Sequence, residues 1–97
     1  MSASIPFGTD GTLSVNFEKG TANVSLMNVM AGNPTGFARK AANRLGCGSE
    51  LIPIQGSLAA DYRFIFEAPA SQDTESFLRS LREKLSEILD ITDRFSI

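Results

Sequence analysis

Residues 12–26, TLSVNFEKGTANVSL, alternate apolar and polar side chains twice, with a turn between the two runs. Leu13, Val15 and Phe17 share one parity while Thr12, Ser14, Asn16 and Glu18 share the other, the period of two that marks a half-buried strand. Glu18-Lys19-Gly20 supplies the reversal, because glycine adopts positive φ without steric penalty. Alternation then resumes with Ala22, Val24 and Leu26 inward. This hairpin makes the first two strands. Over 27–30 neither parity is kept, so the second strand is expected to end or bulge there.

Working outward, 31–35 reads as a loop feeding a helix. Asn33 or Thr35 can cap the free amides, and Pro34 suits a first helical turn. The helix is expected to reach about Leu45. Phe37, Ala38, Ala41, Ala42 and Leu45 fall on one side of a 3.6-residue wheel, with Arg39, Lys40, Asn43 and Arg44 on the other. Gly46 and Gly48 are suitable left-handed terminators. Leu51, Ile52 and Ile54 suggest a third strand, which Pro53 confines to a sheet edge because proline has no amide proton to donate. Tyr62, Phe64, Phe66 and Ala68 alternate with Arg63, Ile65 and Glu67 in a fourth, central strand. Ser71 or Asp73 then caps a second helix expected to run to about Ile91, whose core face is Phe77, Leu78, Leu81, Leu85, Ile88 and Leu89.

The predicted fold is therefore one α+β domain over 1–97, a two-layer sandwich of ββαββα order. Short connections favour a four-stranded antiparallel sheet of order 1-2-4-3 with both helices on one face. The ends, 1–10 and 92–97, are left loose, with Ile5, Phe7, Phe95 and Ile97 unplaced. The two halves align at an offset of 40, Val24 on Phe64 and Phe37 on Phe77, a match that any two amphipathic helices following strands could share. At 97 residues, roughly 64% of the unfolded chain's surface can be buried, enough for a thin core.

Composition removes many chemistries. The chain has no histidine, so it holds neither an imidazole-dependent nucleophile nor an imidazole-ligated metal within one copy. Its one cysteine, Cys47, can form neither an internal disulfide nor a structural zinc site. A net charge of −2 with 21% charged residues argues against a strongly basic nucleic-acid arm. No basic leader with an apolar core precedes the fold, and no apolar run nears ~18 residues, so a cytoplasmic protein without membrane contact is expected. No catalytic residue, cofactor or metal is expected.

Two binding features remain. Gly32, Thr35 and Gly36 surround the start of helix one, where free amides and the helix dipole favour an anion. Arg39, Lys40 and Arg44 form the densest basic cluster and could touch phosphates. Yet three charges fall short of the roughly 6 to 10 phosphate contacts of strongly salt-sensitive complexes. Tyr62, Phe64 and Phe66 have the parity of the helix-covered side, which assigns them to the core rather than to a base-stacking platform. Glu83, Glu87 and Asp90 are either solvated or paired with the basic residues of helix one. Cys47, just past that helix, should have a raised pKa and act as a small filler. The expected function is a small non-catalytic interaction or regulatory module that binds protein, a homodimer included. The alternative is a nucleic-acid-binding module using Arg39, Lys40 and Arg44.

Overall fold

The computed structural model describes residues 2–67 and 73–94. Five strands and two helices follow in the order β1 (Ser2–Phe7), β2 (Gly11–Glu18), β3 (Thr21–Met30), α1 (Pro34–Leu45), β4 (Gly48–Pro53), β5 (Ala59–Glu67) and α2 (Thr74–Arg94). All pair antiparallel in one sheet of order β1-β2-β3-β5-β4. The α+β class and the order of the four expected strands hold, but the sheet has five strands rather than four. Of the ends expected to be loose, 1–10 contains the fifth strand and 92–94 continue α2.

Residues Ala3, Ile5 and Phe7 of β1 oppose Val15, Leu13 and Gly11 of β2. Phe7 is buried, and Ala3 and Ile5 pack against the core, so Ile5 and Phe7 extend the inner layer. Pro6 is compatible with this outer position, and its carbonyl accepts from Arg82 Nη1 of α2 at 3.3 Å.

The core-facing rows run straight across the sheet: Leu13, Leu26 and Tyr62 in one, Val15, Val24 and Phe64 in the next. Helix residues Phe37, Ala38, Ala41, Leu78, Leu81, Leu85 and Ile88 close over them. Phe37 of α1 packs edge-on to Tyr62, and Phe77 of α2 packs edge-on to Phe17 and Phe66, so both helices cover the same side. Among the described residues, no helix lies over the opposite side.

At the β2–β3 turn Lys19 (φ 48°) and Gly20 (φ 83°) are both left-handed, the requirement of a two-residue type I′ hairpin. At 27–28 the β3–β5 register slips between Leu26 and Val29, placing Met27 and Asn28 opposite Asp61. Asn28 adopts φ 59°, which asparagine tolerates better than most side chains. Its amide donates to Asp61 Oδ1 (2.9 Å), and its side-chain Nδ2 donates to the Asp10 carbonyl (3.1 Å). The expected irregularity is thus a bulge, and the strand continues to Met30.

The offset of 40 has a geometric counterpart. Val24 pairs with Phe64 at the centre of the sheet, so β3 and β5 exchange about that pair. Val15 opposes Val24 where Ser49 opposes Phe64, an offset of 34 between β2 and β4, because the second hairpin loop is longer. The helix caps correspond as well. Asn33 Oδ1 accepts from the Gly36 amide (3.0 Å) and Asp73 Oδ1 from the Glu75 amide (3.1 Å). The alternative cap, Ser71, lies outside the described residues, as do Ala68, Phe95 and Ile97.

Candidate functional site

The structure does not gather the basic and glycine residues singled out in the sequence into one site. Gly32, Thr35 and Gly36 lie at the start of α1, whereas Arg44 sits in its last turn, about 14 Å along the axis from Thr35 at 1.5 Å per residue. The Gly32 and Gly36 amides already have acceptors within the chain. Gly32 N donates to Asp93 Oδ1 of α2 at 2.8 Å, and Gly36 N to the Asn33 cap. An incoming anion would therefore meet a carboxylate already seated there. Arg39, Lys40 and Arg44 make no ion pair with the described residues, nor do Glu83 and Glu87. Asp90 pairs with Arg94 one turn along α2 at 2.9 Å. All three carboxylates of the row are exposed, and none pairs with the basic residues of α1.

Tyr62 and Phe64 are buried and Phe66 partly so, as core residues rather than a stacking platform. The Tyr62 hydroxyl is buried with no hydrogen-bond partner among the described residues. Burial first, then the negative charge of Asp93, pushes its pKa up from 10 to about 12. The folded protein disfavours tyrosinate, so this contribution to stability is complete below pH 10 and is lost as pH rises through about 12. Chemical denaturation at stepped alkaline pH should show a loss on the order of 2 kcal/mol in wild type relative to Tyr62→Phe, which cannot ionise. Parallel curves for the two proteins would contradict this account.

Cys47 is half-buried behind α1, and burial raises its thiol pKa, which makes it a poor nucleophile. Among the described residues, no group of three potential metal ligands is gathered. None of their helices is long and apolar enough to cross a membrane.

The uncovered sheet face carries the remaining surface chemistry. One row runs Ser4, Ser14, Ser25, Arg63, Glu50 across all five strands, and the next runs Ser2, Asn16, Asn23, Ile65, Gly48. Toward the bulge the face turns apolar. Met27 (42% exposed) and Met30 (63%) project there, and Leu58 (81%) stands in the adjoining β4–β5 turn, while Ile65 (48%) projects from the same face beyond the Ser25–Arg63 pair. These are the large apolar side chains most exposed among the described residues. Met27 and Ile65 were legible from parity. Met30 required the bulge, which shifts it opposite Ala59 on this face, and the exposure of Leu58 required the long hairpin.

Comparison with protein-family models, with curated proteins and with solved structures finds no match to this chain.

Proposed function

We propose that the protein is a small non-catalytic cytosolic interaction or regulatory module, and that it takes a protein partner on the uncovered face of its sheet. One observation carries this reading: Met27, Met30 and Ile65 emerge from that single face, with Leu58 at its rim. Full burial of an aliphatic side chain of this size contributes roughly 1.5–3 kcal/mol, so a few of them can anchor a contact. The polar rows beside them suit the wet margin of a protein interface. The single, half-buried Cys47 is compatible with a reducing compartment.

The test is capture from source-cell extract with wild type, with Ile65→Asp and with Arg39→Ala/Arg44→Ala, each with and without nuclease. The expected result is a defined protein that survives nuclease, is lost with Ile65→Asp and persists with the arginine variant. Loss after nuclease and with the arginine variant would instead assign the module to nucleic acid. Sedimentation equilibrium of the purified chain shows whether the partner is a second copy.

A further inference from the structure

In an antiparallel strand the N–H and C=O groups of successive residues point to alternate sides, so an edge strand turns every second residue outward, where another strand can add to it. The edges of this sheet are β1 and β4. Just past β4, the Ile54 amide donates to the Ala59 carbonyl beside β5 at 3.4 Å. Ile52, Glu50 and Gly48 therefore also point toward β5, and the outward residues of β4 are Ser49, Leu51 and Pro53. On the other side of the sheet, the two-residue turn makes Glu18 and Thr21 a hydrogen-bonded pair, so Gly11, Leu13 and Val15 turn toward β1. They engage Phe7, Ile5 and Ala3, which leaves Ser2, Ser4 and Pro6 outward.

Each edge thus carries a proline at an outward position. There it removes no bond within the sheet, and its ring stands where an incoming strand needs a donor. Both prolines are exposed. Copies meeting at β4 about a twofold axis centred on Leu51 would set Ser49 opposite Pro53 at either end. At β1, centred on Ser4, they would set Ser2 opposite Pro6. In both registers a serine carbonyl faces a pyrrolidine ring instead of an N–H. The rest of the β4 edge favours pairing, because Leu51, Ile52 and Ile54 are apolar and only partly buried. At β1 the Pro6 carbonyl is in addition engaged by Arg82.

We propose that Pro53, with Pro6 on the opposite edge, is a guard built into the fold, which denies the sheet edge to a strand of a second copy of this chain. The β4 edge is otherwise competent to pair, and an amide at position 53 is enough to open it.

The test restores that amide in the full chain. Pro53→Val and Pro53→Thr both place an N–H on the outward side without removing a bond to β5, and threonine keeps the branched shape of valine while being polar. Sedimentation equilibrium should show both variants self-associating about tenfold or more tightly than wild type. At the same concentrations, hydrogen exchange should slow at the Ser49 and Leu51 amides. Adding Ile65→Asp should leave the gain intact, which separates the edge from the sheet face. Pro6→Val should gain less, because Arg82 still holds the carbonyl of that residue. Unchanged self-association in both Pro53 variants overturns the proposal. A gain with valine but not threonine does so too, since it would trace the effect to added apolar surface. The wild-type chain supplies a reading that needs no variant: its Ser49 and Leu51 amides should exchange equally fast at low and high concentration, and slowing on concentration would show an edge that is already open. Partner capture on the sheet face is read independently, so failure of one leaves the other standing.

Discussion

Gly11→Val should cost about 3 kcal/mol or more, read as a fall in the urea midpoint with an unchanged slope. Gly11 opens β2 opposite Phe7, in the hairpin that holds the outermost strand. A Cβ there would stand 2.6 Å from the Phe7 carbonyl oxygen and 2.9 Å from Val29 Cγ2. The first obstacle is backbone, and the second belongs to a buried side chain. Neither can move without opening the β1–β2 ladder or displacing the residue after the bulge. Gly48→Ala is the control, because a Cβ there meets nothing within 4 Å. It should lie within about 0.5 kcal/mol of wild type, as surface substitutions usually do. A Gly11→Val midpoint as close to wild type as that of Gly48→Ala would refute the steric argument. For a chain of this size the expected loss is a large share of total stability.

The second large effect belongs to Phe37→Ala, expected to cost about 3–5 kcal/mol. Phe37 is fully buried at the start of α1, its ring edge-on to Tyr62 with centroids 5.0 Å apart. Removing it opens a cavity where α1 meets the central strands, and the alanine-rich face of that helix has no spare bulk to fill it. Tyr62 is the only tyrosine in the chain, so alkaline difference absorbance reports on this site alone. Water admitted by the cavity should bring the tyrosine pKa back from about 12 toward 10, even in the fraction that remains folded. A wild-type titration curve combined with a normal denaturation midpoint would sink the prediction.

Legibility differed from element to element. The hairpin of β2 and β3 is local: its parity and its Lys19-Gly20 turn lie within a few residues of each other. The α2 helix repeats its apolar face over 21 residues, long enough for the pattern to outweigh its weak ends. The β1 strand carries the same alternation in Ala3, Ile5 and Phe7, but over only six residues with Pro6 near its end. Such a segment becomes a strand because β2 offers it an edge and α2 covers its inner side. For the surface sites, parity identified which sheet positions face outward. It could not show that the anion-favouring amide of Gly32 is engaged by Asp93, 61 residues further along.

Side-chain periodicity is a property of backbone geometry, period two or 3.6, and so the residue order already specifies which face of each element is apolar. From it follow an α+β class, four of the five strands, both helices and the burial of Tyr62 and Phe64. Contacts between distant segments depend instead on how those faces pack. The Asn28 bulge is held by Asp61 of the neighbouring strand, and β1 is tied to α2 by Arg82 on the Pro6 carbonyl. Each is a meeting of groups that no short window of sequence contains, arranged only when the whole apolar layer closes at once.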